Sequence, residues 1–395
     1  MKALTFHGNQ DVRVDEVDDP RIEEPTDAII RVTSTAICGS DLHLYGVLGM
    51  FMDEGDILGH EPMGIVEETG SAVTNLSPGD RVVVPFNISC GDCWMCDQKL
   101  YAQCETTQNR EQDKGASLFG YTKLYGQVPG GQAEYLRVPQ AQFGPIKVPE
   151  EGPDERYLYL SDVLPTAWQA VEYAAVPKGG SVAVFGLGPI GQMCARIARY
   201  QGAEKVYGVD MVDERLAMAG RHDVETLNLK DYEDISEPLR ELTGGRGPDS
   251  VIDAVGMEAH GAPAAEFMQK ATRILPDPAA AKLTKEAAVD RLTALLACFD
   301  SVRRGGTVSI SGVYGGQLDP LPMMQIFDKG IQLRMGQAHV RRWTDQIMPL
   351  LDPLGDDPLG VDDLATHKWP LERAPEAYEM FQKKDDGAIK VVLKP

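Results

Sequence analysis

The chain has 395 residues, of which 43% are hydrophobic and 25% charged, a soluble-type composition long enough for two domains with buried cores. A formal net charge of −22 argues against a nucleic-acid partner, whose phosphates call for Lys and Arg, and against an anionic membrane surface. The start, Met1-Lys2-Ala3-Leu4-Thr5-Phe6, lacks the apolar run of a signal peptide, and no stretch is apolar enough to span a bilayer, so a cytoplasmic location is expected.

Residues 1 to about 160 read as an irregular, largely antiparallel β domain. Ala28-Ile29-Ile30-Arg31-Val32 and Arg81-Val82-Val83-Val84 are β-branched runs, the second preceded by the turn signal Ser77-Pro78-Gly79-Asp80. The pattern changes near residue 165. Ser181-Val182-Ala183-Val184-Phe185 is a strand candidate. Ile190, Met193, Cys194, Ile197 and Ala198 then share one face of a helix running to Gln201. Lys205 to Val209 closes a βαβ unit. Ser250 to Asp253, Thr307 to Ile310 and Ile331 to Arg334 are further strands, and Ala279 to Arg304 reads as a helix. Alternating strands and helices imply a parallel sheet with right-handed crossovers. A helix at Ala374 to Lys384 and a strand at Ile389 to Leu393 suggest a return to the first domain. The expected division is 1–164, 165–335 and a returning 336–395, with a separate lobe near 88–106.

Gly186-Leu187-Gly188-Pro189-Ile190-Gly191 is a GxGxxG placed between a predicted strand and a predicted helix, the context that gives the motif meaning. The first glycine permits a tight turn, the second a close approach of backbone to a pyrophosphate, and the third close helix–strand packing. The helix N-terminus adds unpaired N–H groups and partial positive charge. Asp210 ends the next strand, 19 residues beyond Gly191, where an acid would bind the adenosine ribose hydroxyls. Its charge would repel a 2′-phosphate, and Met211 and Val212 supply no cation, so NAD is expected over NADP. Arg215 is a candidate to lie over the adenine.

Seven cysteines are present, and Cys90, Cys93, Cys96 and Cys104 fall within fifteen residues. Four clustered thiolates in a polar, turn-rich segment suit a closed structural zinc site better than disulfides, a thioredoxin-like pair or an iron–sulfur cluster. Cys38, in Cys38-Gly39-Ser40-Asp41-Leu42-His43, and His60, in Gly59-His60-Glu61-Pro62, form a second pair of metal-ligand type in glycine-containing loops. On residue type alone each is as well read as a core residue.

Taken in order, Cys38-Gly39-Ser40-Asp41, Gly59-His60-Glu61, the four-cysteine lobe and the GxGxxG resemble the zinc-containing medium-chain alcohol dehydrogenases over nearly the whole chain. Pro129-Gly130-Gly131-Gln132-Ala133-Glu134-Tyr135 and Leu160-Ser161-Asp162-Val163-Leu164-Pro165-Thr166 resemble the glutathione-independent formaldehyde dehydrogenase branch. The resemblance implies an α/β fold with a GroES-like catalytic domain and a doubly wound Rossmann domain. It also implies a homodimer or homotetramer, two zinc ions per chain, and NAD. The catalytic zinc is then held by Cys38, His60 and Asp162, with Glu61 as a close or exchangeable ligand. Asp162 replaces a second cysteine, a harder donor that leaves the metal more electrophilic. Ser40, the cofactor ribose and His43 form a proton relay. Gly39, Thr166, Val255, His260, Ser311, Val313, Gly336 and Ala338 match further cofactor contacts. Tyr314-Gly315-Gly316 is shorter than the corresponding segment of the formaldehyde branch, and His260 stands where that branch has arginine.

The implied reaction is hydride exchange between a small alcohol, or an aldehyde hydrate, and NAD. Aldehyde dismutation is a variant. A zinc-free quinone or enone reductase on the same fold, and a zinc-stabilised nucleotide sensor, are the rivals from other classes.

Overall fold

The computed structural model describes residues 1–256, 292–314 and 321–395. The chain divides into two compact units, Met1–Gln169 with Gln337–Pro395, and Ala170–Gly336.

The first unit opens with a hairpin, β1 (Lys2–Gly8) and β2 (Asp11–Glu16). Its main sheet contains β3 (Ala28–Ile37), β4 (Glu61–Thr69), β5 (Arg81–Val83), β6 (Tyr135–Val138), β7 (Ile146–Lys147), β14 (His367–Pro370) and β15 (Val391–Lys394). The strand order is β14-β15-β3-β4-β5-β7, with β6 also pairing β3; every pairing except β14 with β15 is antiparallel. The strand expected at Ala28–Val32 therefore runs on to Ile37. The alternation that makes it a strand buries Ala28, Ile30 and Val32 against Val66, Val82 and Leu136. The C-terminal segment does return to this unit. Its strand begins at Val391, two residues later than expected, because the amides of Ile389 and Lys390 turn to Thr366 Oγ1 at 3.0 and 3.3 Å.

Register matters for function here. Ala36 stands opposite Glu61, and Ile37 stands opposite Val391. The end of β3, the start of β4 and the start of β15 thus meet at one place. Cys38, His60 and Lys390 are the residues immediately outside those three strands.

The second unit is a six-stranded, wholly parallel sheet: β8 (Ser181–Phe185), β9 (Lys205–Asp210), β10 (Glu225–Asn228), β11 (Ser250–Asp253), β12 (Thr307–Ile310) and β13 (Gln332–Met335). The order β10-β9-β8-β11-β12-β13 reverses direction between β8 and β11, the topological switch point beside which doubly wound sheets bind dinucleotides. The crossover after β8 is the helix Pro189–Tyr200, whose Met193, Cys194, Ile197 and Ala198 are buried. Residues 292–301 are helical and bury Leu292, Leu295, Cys298 and Phe299 against the sheet; the rest of the helix expected from Ala279 lies outside the described residues. The strand expected at Ile331–Arg334 sits one residue later. Among the described residues no helix is long and apolar enough to cross a membrane.

Candidate metal centres and dinucleotide loop

The four-cysteine lobe is built from short turns around Cys93-capped residues Trp94–Asp97 and a 3-10 turn Tyr101–Gln103. Its own apolar content is small: Cys90, Cys96, Cys104 and Ala116 are its buried cluster. The sulfurs of Cys90 and Cys104 are 3.6 Å apart, those of Cys93 and Cys104 3.9 Å, and those of Cys90 and Cys96 4.0 Å. Sulfurs placed about 2.3 Å from a tetrahedral zinc would be about 3.8 Å apart, whereas a disulfide needs about 2.05 Å. The spacing fits a zinc cage and fits no disulfide. Amide N–H groups of Cys90 and Glu105 donate to Cys104 and Cys93 Sγ, and the Thr106 hydroxyl donates to Cys90 Sγ at 3.1 Å. Burial pushes the Cys90 thiol up to about 11. At Cys93 burial works the same way, but donors from the Cys96 and Glu105 backbone outweigh it and bring the thiol down to about 7.

The lobe is tied to the returning C-terminal segment. The Ala102 amide donates to His339 Nδ1 at 3.1 Å, and Asn87 Nδ2 donates to the Ala338 carbonyl at 2.7 Å. Burial holds His339 down to about 4, keeping it neutral and able to accept.

Cys38, His60, Glu61 and Asp162 are all buried, and one ligand atom from each lies within 4.8 Å of the others. Asp162 Oδ2 is 3.4 Å from Cys38 Sγ and 3.5 Å from His60 Nε2, the spacing expected of donors about 2.0–2.3 Å from a shared tetrahedral ion. A thiol, an imidazole and two carboxylates are a zinc-type donor set. Glu61 Oε2 is buried and, among the described residues, has no hydrogen-bond partner, as a waiting ligand atom would be.

Burial, then the charges of Asp162 and Glu61, push the Cys38 thiol up to about 12. At His60 burial disfavours the imidazolium, but Asp41 and Asp162 outweigh it and hold the ring well above its ordinary range. Burial raises Glu61, and at Asp162 the same burial is outweighed by His60, which keeps that carboxyl below the usual range. A thiol, an imidazole and two carboxylates are buried together here. The residues present fit a divalent cation.

Around these four is a shell of supporting residues, of which Thr166 alone was a candidate in the sequence analysis. Asp41 is fully buried. Its Oδ2 accepts from the Cys38 amide at 2.9 Å and from Gln132 Nε2 at 3.4 Å. Its Oδ1 lies 2.9 Å from His60 Nδ1, oblique to the N–H direction. That contact turns Nε2 toward Cys38 and Asp162, the arrangement that orients metal-binding histidines. Gln132 is held by the Tyr378 hydroxyl at 2.8 Å. Gly59 sits at φ +95, and a Cβ there would meet Gln132 Cγ at 2.3 Å, so glycine is what lets the His60 loop pack on this shell. Thr166 Oγ1 donates to Asp162 Oδ1 at 2.5 Å. Lys390, wholly buried, donates to Glu61 Oε1 at 2.6 Å and to the Ile37 carbonyl at 3.1 Å. Asp41 had one legible hint: Cys-x-x-Asp is a capping-box spacing at the head of the helix Gly39–Tyr45. Lys390 had none, because its partner is 329 residues away.

Ser40 and His43 lie on that same helix. Ser40 Oγ is 3.3 Å from His60 Nε2, and His43 is buried one turn on.

In the second unit Gly186 turns at φ +84 directly after β8, and a Cβ on Gly191 would stand 1.7 Å from the Gly186 carbonyl oxygen. Among the described residues a Cβ on Gly188 would meet only Arg215, at 3.7 Å. Pro189 and Ile190 form the first turn of the helix, which Gly188 caps. Asp210 Oδ2 accepts from the Leu187 amide at 2.6 Å, and its Oδ1 accepts from the amides of Met211 and Val212. Arg215 is buried with Nη1 3.8 Å from Asp210 Oδ2. Asp253, buried and raised by burial, accepts from the Tyr314 hydroxyl at 2.6 Å and from the Val255 amide. Its carbonyl accepts from the amides of Ser311 and Gly312. Val255, Ser311 and Val313 are thus brought onto two stitched loops at the carboxyl ends of β11 and β12. Gly336 follows β13 at φ +148, and Ala338 is buried in the first unit. His260 lies outside the described residues.

Comparison with known proteins follows this geometry. Residues 24–150 match the model of the alcohol dehydrogenase GroES-like domain, and residues 189–275 match that of the zinc-binding dehydrogenases. An uncharacterized zinc-type alcohol dehydrogenase-like protein of Bacillus subtilis is 42% identical over 398 residues, covering all of both chains. The formaldehyde dismutase of Pseudomonas putida is 33% identical over 422 residues, covering 100% of this chain and 97% of its own. The solved structure of the alcohol dehydrogenase TADH from Thermus sp. ATN1 superposes with a TM-score of 0.83 at 34% identity, each chain covered fully.

Proposed function

The chain belongs to the zinc-type alcohol dehydrogenase family, and on that premise we propose that it transfers a hydride between a small alcohol, or the hydrate of an aldehyde, and NAD. The observation that carries this reading is the buried meeting of Cys38, His60, Glu61 and Asp162. A zinc-free quinone or enone reductase would have no use for that donor set, and a nucleotide sensor would not need it.

Cys38, His60 and Asp162 are the proposed ligands of a catalytic zinc, with Glu61 close by or exchanging. Cys90, Cys93, Cys96 and Cys104 are those of a structural zinc. The bound catalytic ion would supply Lewis acidity that favours loss of the substrate hydroxyl proton near neutral pH. The protein side of the chemistry is positioning and proton traffic. Asp41 lies against the Nδ1 edge of His60, and Thr166 fixes one oxygen of Asp162. Lys390 ties Glu61 by one oxygen and leaves the other free. Ser40 takes the hydroxyl proton and passes it toward His43.

The dinucleotide is assigned to the loop Gly186 to Gly191, with Gly39, Thr166, Val255, His260, Ser311, Val313, Gly336 and Ala338 as further contacts. NAD is preferred because the Asp210 carboxylate stands where a 2′-phosphate would need a cation; the nearby Arg215 faces Asp210 itself. We place the protein in the cytoplasm as a homo-oligomer, dimer or tetramer. Aldehyde dismutation is the second reading, favoured by the Pseudomonas putida relative: an aldehyde hydrate offers the same C–H and O–H as an alcohol.

The test is a panel of primary and secondary alcohols and aldehydes with NAD and with NADP, with and without thiol. NADH production from at least one alcohol, or paired alcohol and acid from an aldehyde, is expected. Absence of both from a zinc-loaded protein would overturn the reading.

A further inference from the structure

The sheet of the second unit has two ends. The glycine loop stands at the carboxyl end of β8. At the amino end is a cavity of about 480 Å³, within the size range of small-molecule sites. Ser181 and Lys205 open β8 and β9 there, Asp249 precedes β11, and Arg303 and Arg304 precede β12. A strand of this length, at about 3.3 Å per residue, puts roughly 15 Å between the two ends.

The lining is cationic in a chain that is strongly acidic. Lys205, Arg246, Arg303 and Arg304 face the cavity with one carboxylate, Asp249. That carboxylate is fully engaged. Its Oδ1 accepts from Arg303 Nε at 2.7 Å, and its Oδ2 accepts from the Ser181 amide and hydroxyl at 2.9 and 3.0 Å. Arg304 is anchored by Asp328 at 2.9 Å. Lys205 and Arg246 have no ion pair among the described residues, and both are exposed to solvent. Arg246 is nonetheless on a fixed loop. The Gly247 amide donates to Thr243 Oγ1 at 2.9 Å, and Gly247 at φ +95 packs so closely on the Ser301 carbonyl that a Cβ would stand 2.1 Å from it.

We propose that this cavity binds a compact phosphate-bearing anion, held by Lys205 and Arg246 and flanked by the two anchored arginines. Arginine forks match phosphate oxygens in paired hydrogen bonds, and a lysine serves phosphate as a point charge. The ligand is either free phosphate or the phosphate group of a small ester, and the room beyond one phosphate favours the ester.

Calorimetric titration of the full-length, zinc-loaded protein at low ionic strength tests this, with inorganic phosphate and with glycerol 3-phosphate as probes. Saturable binding of at least one probe is expected, weakened ten-fold or more by Lys205→Ala with Arg246→Ala. Tighter binding of glycerol 3-phosphate assigns an ester; equal binding assigns the free ion. Both side chains are exposed, so the thermal midpoint of the double variant without phosphate should match that of the wild type. A second double variant, Lys178→Ala with Lys230→Ala, removes two cations from the same unit outside the cavity and should bind as the wild type does. No saturable binding of either probe would overturn the proposal. So would binding that the first variant retains, which would place phosphate at the glycine loop or the metal cluster, or an equal loss in both variants.

Discussion

The two candidate metal centres of the first unit are built in opposite ways. The cysteine cage draws its four sulfurs from fifteen consecutive residues, and its cluster of buried residues is little more than those sulfurs. The second centre draws Cys38 and Asp162 from positions 124 apart; its carboxylates are held by Thr166 and Lys390, and the Gln132–Asp41 pair holds the Cys38 amide and lies against the His60 ring. A cage that closes on itself saturates its ion and organises a loop. A centre assembled by the ends of three strands leaves its ligands under the control of the fold around them. A closed site needs spacing, whereas a site with an open position needs a scaffold.

The largest expected effect separates the two. Cys38→Ala should lower turnover on the order of a thousand-fold or more while circular dichroism and thermal midpoint change little, since several kcal/mol of transition-state stabilisation go with the ion. Cys93→Ala should do the reverse, loosening residues 88–106 in hydrogen exchange. If both variants lost activity and stability alike, the two centres would not differ in role.

Next in size is Lys390. Lys390→Met leaves the Glu61 carboxylate buried without its counter-charge, at a cost of about 3–5 kcal/mol. Adding Glu61→Gln should recover most of that loss in denaturant unfolding. No recovery would mean that Lys390 acts through packing rather than through Glu61.

The legibility of the two centres in the sequence follows the same contrast. The cysteine spacing names its chemistry by itself, and so does the GxGxxG between strand and helix. Cys38 and His60 do not, and Asp162 entered only through family resemblance. The register Ala36 opposite Glu61 joins Cys38 to His60, and Asp162 arrives from the end of the 3-10 turn Tyr159–Ser161, whose Ser161 carbonyl accepts from the Phe86 amide; both are tertiary facts with no local signature. Five of the six strands of the second unit were readable from their β-branched and apolar residues; β10 was not, because Glu225, Thr226 and Asn228 leave Leu227 as its one apolar residue. The hairpin of β1 and β2 was not, although Asp11 to Asp15 alternates, because the two turn residues Asn9 and Gln10, the latter at φ 60, lack the glycine that marks such a turn. Lys390 read as an ordinary strand lysine; only burial reveals it.

His339 provides a pH-dependent probe of the cage side. Its folded value is about 4 against an ordinary 6.5, so the unfolded chain binds the extra proton between them. The stabilisation is therefore complete above about pH 6.5 and is lost as pH falls toward 4. That shift corresponds to about 3 kcal/mol at most. His339→Gln should flatten the pH dependence of the midpoint in that window. An unchanged slope would assign it to other groups. The smallest effect expected is at Asp210: Asp210→Ala should shift the NAD-to-NADP ratio of kcat/KM toward NADP by about ten-fold, roughly 1.4 kcal/mol. An unchanged ratio would remove Asp210 from cofactor choice.

Two zinc sites of unlike construction in one chain would show first in its metal content. Quantitative zinc analysis of the purified wild type and of Asp162→Ala should give two ions per chain and one. One ion in both proteins, or two in both, would contradict the account.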